Sequence, residues 1–124
     1  MSGQSWEIPL PCLTPPLSLN QRIHWRKEAS IKATLRDVGI TYARKLHIPP
    51  MDRFTAQLHY LPRQERERDS ENLTPCAKPI VDGYCWVHKI PDSHAHYTQL
   101  PPVIHPASGR AGRLWVVLTE VPSP

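Results

Sequence analysis

Fifteen prolines spread over 124 residues constrain this chain more than any other feature of its composition. Each proline fixes its own φ, lacks an amide hydrogen and biases the residue before it against helical geometry, so elements must be short and loops stiff. The first segment, "SWEIPLPCLTPPLSLNQ", alternates partly and is broken by Pro9, Pro11, Pro15 and Pro16, which predicts an edge strand running into a rigid loop. Pro49 and Pro50 end a helix predicted from about Lys27 to His47, where Ile31, Leu35, Val38 and Tyr42 form one apolar stripe. Arg36, Arg44 and Lys45 are left for its other faces, and Gly39 weakens it.

"RFTAQLHYLP" is the clearest strand: Phe54, Ala56, Leu58 and Tyr60 share one parity, and Thr55, Gln57 and His59 the other. Between Ala77 and Val87 the period becomes helical, with Ala77, Ile80, Val81 and Tyr84 at i, i+3, i+4 and i+7. Thr74 before Pro75 reads as an N-cap followed by a first-turn proline, while Pro79 suggests that the regular helix begins later. "HKIPDSHAHY" reads as a loop entering a short strand, "QLPPVIHPASGRAG" as a connection, and "RLWVVLTEV" as a strand more buried than the first. That order predicts a single α+β domain over residues 1–124, with a small mixed β-sheet and two helices packed on it.

No apolar run approaches the roughly 20 residues of a membrane span, and "MSGQSWEIPLPCLTPP" lacks the basic and apolar regions of a secretory signal, so an intracellular protein is expected. Cys12, Cys76 and Cys85 form no CxxC pair, which predicts reduced thiols and no cysteine-rich zinc site. The net charge of +4 permits attraction to polyanions. Arg22, Arg26 and Lys27 form one basic cluster and Arg63, Arg66 and Arg68 another. Either could contact nucleic-acid phosphates or form an ordinary solvated face.

"RERDSENLTPCAKPIVDG", residues 66–83, carries the densest chemistry. On an extended strand end Asp69 and Glu71 would point the same way, and on a helix Lys78 and Asp82 would lie one above the other. If the two meet, with Asp92 closing the cluster, the oxygens suit Mg2+ or Mn2+, an ion able to polarise a phosphodiester while Lys78 offsets transition-state charge. The plainer alternatives are an exposed i,i+4 ion pair at Lys78 and Asp82, a solubilised turn at Asp69 and Glu71, and a turn-forming or capping Asn72. His88, Asp92, His94 and His96 offer a different site, for zinc, although their spacing matches no zinc signature. Dinucleotide, Walker and nucleophile-elbow motifs do not occur.

"RDSENLTPCAKPIVDG", with "PLSLNQRIHWR" before it and "KIPDS" after it, resembles the RusA-type Holliday junction resolvases, especially those of bacteriophages. The resemblance covers most of the chain. It implies a small α+β homodimer, cytoplasmic in its host, that binds branched DNA and cuts symmetrically placed phosphodiesters with Mg2+ or Mn2+. By position it makes Asp69, Glu71 and Asp92 the metal-binding acids, Lys78 the electrostatic helper and Asp82 a further ligand or supporting acid. Arg22, His24, Arg26, Lys27, Arg63, Arg66 and Arg68 become candidate DNA contacts.

Two departures bear on mechanism. The family's first acidic motif reads Asp-x-Asp, where this chain has Glu71 as the second acid. The paired acids after the helix become Asp92-Ser93, and a serine hydroxyl cannot supply a carboxylate's charge to a metal. The expected function is thus an endonuclease acting in recombination or repair. The alternatives are a weak or inactive relative that binds DNA by its shape, and a protein-interaction module with solvent-facing charges.

Overall fold

The strand read from Phe54 onward lies at the centre of the architecture. A computed structural model describes residues 3–19, 22–65, 68, 70–91 and 96–122 of the protein. Strand β1 spans Ser5–Pro9, helix α1 Trp25–Lys45, and strand β2 Phe54–Leu61. A 3-10 helix over Ser70–Cys76 then leads into helix α2, Lys78–His88. Short strands β3, Tyr97–Gln99, and β4, Val103–Ile104, precede the long strand β5, Arg113–Glu120.

The sheet is mixed. β5 lies between β1 and β2 and is antiparallel to both, while β3 and β4 run parallel to β2 along its other edge. As the content of "RLWVVLTEV" predicts, β5 is interior and β1 is an edge. "QLPPVIHPASGRAG" is not only a connection, because its Val103 and Ile104 pair with His59 and Tyr60. Pro101 and Pro102 separate β3 from β4, since neither can donate to the ladder. The Gln57 side chain fills part of that gap by donating to the Pro101 carbonyl at 2.8 Å.

One parity of β2, Phe54, Ala56, Leu58 and Tyr60, is buried against Ile8 of β1 and Leu114, Val116 and Leu118 of β5. Leu35 and Ala43 of α1 and Ile80, Val81 and Tyr84 of α2 close the same core, so both helices cover one face of the sheet. Tyr84 is fully buried yet polar. Its hydroxyl donates to the Pro49 carbonyl and accepts from the Met51 amide, each at 2.8 Å, which ties α2 to the turn between α1 and β2.

Gly39 does more than weaken α1. A Cβ there would lie 2.3 Å from the Ile80 carbonyl oxygen, and one on Gly83 would lie 2.2 Å from the Arg36 carbonyl oxygen. The two glycines therefore let the helix backbones touch, and that contact sets where α2 sits on α1. Pro79 also proves compatible with an early helix start. It occupies the first turn, where an amide would have no intrahelical acceptor, and Ala77 rather than Thr74 precedes the helix.

Candidate functional site

Residues 70–76 are not an extended strand end. Pro75 and Pro79 lie four positions apart at the junction, and the chain winds as a 3-10 helix before α2 begins. Glu71 is therefore not on the extended strand end expected for it, and Asp69 lies outside the described residues. In a 3-10 helix residues i and i+3 share a face. Leu73 and Cys76 accordingly point inward, while Glu71 and Thr74 line a cleft with Leu19, Gln99, Leu100 and Pro101.

Two distant segments are fastened to this short helix. The Leu19 amide donates to the Asn72 carbonyl at 2.9 Å, and the Cys76 thiol donates to the Leu17 carbonyl at 3.1 Å. From the other side, the Gln99 side-chain amide donates to the Thr74 carbonyl at 2.8 Å. Burial pushes the Cys76 thiol up to about 11, against a smaller opposing effect of its bond to Leu17, so it stays protonated and able to donate. The loop after β1, the acidic segment and the strand after α2 thus converge on one turn.

Lys78 and Asp82 form an ion pair one helical turn apart, as their spacing predicts, and both remain partly exposed. They open onto a cleft of about 360 Å³ shared with Lys32, Ala33, Arg36, Pro75 and Pro79. Glu71 does not line that cleft. Lys78 and Asp82 share one cleft and Glu71 lines another with Thr74 and Gln99, while Asp69 and Asp92, which the expected cluster also includes, lie outside the described residues.

Arg63 and Arg68 come together in a third cleft with Thr14, Tyr60 and Gln64. The Arg68 guanidinium lies 5.4 Å from the Tyr60 ring centroid and donates to the Gln64 carbonyl at 3.0 Å. Arg22 is exposed beside Ser18, Leu19, Glu28 and Pro75, so it borders the 3-10 helix. His24 caps α1: its Nδ1 accepts from the Arg26 amide at 3.1 Å. Arg26 lies over the exposed Trp25 ring, and Lys27 is exposed on the same first turn.

Asp69, Asp92 and Arg66 lie outside the described residues, as do Ser93 and His94. Among the described residues no three His, Cys, Asp or Glu side chains form a metal-binding group. Of the proposed zinc ligands, His88 Nε2 is 2.7 Å from the Ile48 carbonyl and His96 Nδ1 is 3.3 Å from the Asp52 carbonyl, so each has a backbone partner. Cys12, Cys76 and Cys85 are in no disulfide, and no helix among the described residues is long and apolar enough to cross a membrane.

One group was missed by spacing arguments: Trp86 with Arg36 and Arg44. The two arginines sit eight residues apart on α1, a separation that brings side chains to neighbouring faces, but only the glycine-mediated helix contact reveals that they meet Trp86. No known family model matches the chain, and no curated protein matches its sequence.

Proposed function

We propose that the protein is a homodimeric, Mg2+- or Mn2+-dependent endonuclease resembling the RusA-type resolvases, cutting Holliday junctions or related branched DNA in recombination or repair. The observation that carries this proposal is the convergence on the 3-10 helix of the Ser18–Leu19 segment, the acidic segment and the strand after α2. The contacts of Leu17 and Leu19 join two of the stretches on which the resemblance rests, "PLSLNQRIHWR" and "RDSENLTPCAKPIVDG", which lie far apart in sequence.

Glu71 is an exposed carboxylate with oxygen chemistry suited to a hard divalent ion, in a cleft with Thr74 and Gln99. By the resemblance, the ion would be held by Asp69, Glu71 and Asp92, where it would supply Lewis-acid polarisation of a phosphodiester. Asp82, engaged with Lys78, would orient that ammonium toward developing negative charge. Arg63 and Arg68, sharing one cleft, and Arg22, beside the 3-10 helix, would fix the phosphate backbone without reading sequence. Arg66, His24, Arg26 and Lys27 would extend those contacts.

A second reading is favoured by Ser93: the chain binds junctions but does not cut them. A labelled four-way junction incubated with protein in Mg2+, Mn2+ or EDTA separates the two. Paired, metal-dependent nicks abolished by Asp69→Asn support the enzyme. Binding without nicks under any metal supports the second reading.

A further inference from the structure

Trp86 stands on the outer side of α2 with 53% of its surface exposed, far more than the residues packed in the core. Two cations reach for it from α1: the Arg36 guanidinium lies 5.8 Å from the ring centroid and that of Arg44 5.7 Å. Their backbone positions are about 12 Å apart, so the side chains converge from two turns of helix on one indole. Contact with the ring restrains both guanidinium groups, which lowers the ordering cost of any ligand they bind.

The charge here is unbalanced. Glu28 pairs with Lys32 at 3.2 Å and Asp82 pairs with Lys78, whereas neither Arg36 nor Arg44 has an ion-pair partner among the described residues. Arg36 also lines the cleft that holds Lys32 and Lys78. Lys32, Lys78, Arg36, Trp86 and Arg44 therefore make a continuous strip along the seam of the two helices. Arg44 in the last turn suits the negative end of the α1 dipole, but that role would not require it to reach Trp86.

We propose that this strip binds an unpaired nucleic-acid strand, with phosphates on Arg36 and Arg44 and a base against the exposed part of Trp86. A free anion would need the arginines but not the indole, and an acidic peptide does not carry a flat ring at every charge as a nucleotide strand does. Cations alternating with an aromatic surface match the alternation of phosphate and base in a single strand. A duplex keeps its base faces inside the stack and cannot use the indole this way. The strip adjoins the proposed cleavage machinery at Lys78, which pairs with Asp82, but Arg36, Arg44 and Trp86 have no part in it, and strand binding there does not depend on that activity.

The test is fluorescence anisotropy in EDTA over a range of salt concentrations. Its probes are a fluorescein-labelled oligothymidylate, an abasic strand of equal length and charge, and a duplex. The wild-type protein should bind the oligothymidylate about tenfold more tightly than the abasic strand, in line with one stacked base. Trp86→Ala should erase that preference, and Trp86→Phe should retain most of it. Arg44→Gln should weaken binding to both strands and reduce the slope of log affinity against log salt by about one. The proposal is overturned if wild type does not distinguish oligothymidylate from the abasic strand, if duplex binds as well as single strand, or if Arg44→Gln leaves affinity and slope unchanged. Should Trp86→Ala fail to fold by circular dichroism, the wild-type comparison and Arg44→Gln decide the matter. Because all measurements exclude divalent metal, their outcome is independent of junction cleavage.

Discussion

The two faces of the sheet are held in different ways. On the covered face, α1 and α2 meet backbone to backbone at Gly39 and Gly83, and the buried hydroxyl of Tyr84 bonds the turn below them. On the other face, which carries no helix among the described residues, rings stack across strands instead. His59 lies 5.2 Å from His105 and 5.3 Å from Trp115, with the Arg113 guanidinium 4.7 Å from the Trp115 centroid. Close approach of backbones tolerates no extra atom, whereas stacked side chains on an open surface can adjust. The covered side is therefore a rigid support for the clefts beside the 3-10 helix, and the open side is adjustable and sensitive to protonation.

The sharpest break in that comparison is steric. Gly83→Ala should destabilise the fold by about 2–3 kcal/mol, although alanine is intrinsically the better helix former by about 1 kcal/mol, because the Arg36 carbonyl must move away. Gly39→Ala should behave alike. The double variant should cost less than the sum, since separating the helices once relieves both clashes. Chemical denaturation of the four proteins measures this, and strict additivity would argue that the two contacts are independent.

Tyr84→Phe comes next, at about 1–3 kcal/mol, because it leaves the buried Met51 amide without its acceptor while preserving ring packing. Burial pushes the Tyr84 hydroxyl up to about 12, so the substitution should also remove the last phase of an ultraviolet alkaline titration. A variant as stable as wild type would show that water replaces the lost partner.

The open face should give the smallest effect, and one that depends on pH. Burial lowers the pKa of His59 below its ordinary 6.5, His105 adds to the shift, and Glu7 opposes it. His59 and His105 are 2.9 Å apart through Nδ1 and Nε2, so one ring donates to the other. Above about pH 6.5 both folded and unfolded chains hold neutral His59 and the pair contributes fully. As pH falls below that value the unfolded chain takes up a proton that the folded ring resists, and stability is lost. Melting temperatures from pH 7.5 to 5 should accordingly fall more for wild type than for His59→Gln. Parallel curves would remove His59 from the acid response.

Elements whose pattern spans several residues could be read directly from the chain. The parity of Phe54, Ala56, Leu58 and Tyr60, and the helical spacing of Ala77, Ile80, Val81 and Tyr84, both report a buried face through local repetition. β4 escaped because two residues carry no period, and only pairing with His59 and Tyr60 makes them a strand. The site was harder for a related reason. Glu71, Lys78 and Asp82 are close in sequence, but Ser70–Cys76 winds as a 3-10 helix, and Glu71 lines a cleft with Gln99 while Lys78 and Asp82 line one with Arg36. Conversely, the bond from Leu19 to Asn72 joins residues more than fifty positions apart, which no local spacing could disclose.

The proposed function gives Glu71 and Asp82 different roles, which can be tested separately. The most direct measurement compares Glu71→Gln and Asp82→Asn on a labelled four-way junction, scoring both metal-dependent cleavage and binding in EDTA. Under the proposed function, Glu71→Gln should abolish cleavage while leaving junction binding intact, because it removes a carboxylate proposed to hold the metal. Asp82→Asn should slow cleavage without abolishing it, because Lys78 loses its orienting partner. Wild-type cleavage by Glu71→Gln would contradict the placement of the active site at the head of the 3-10 helix.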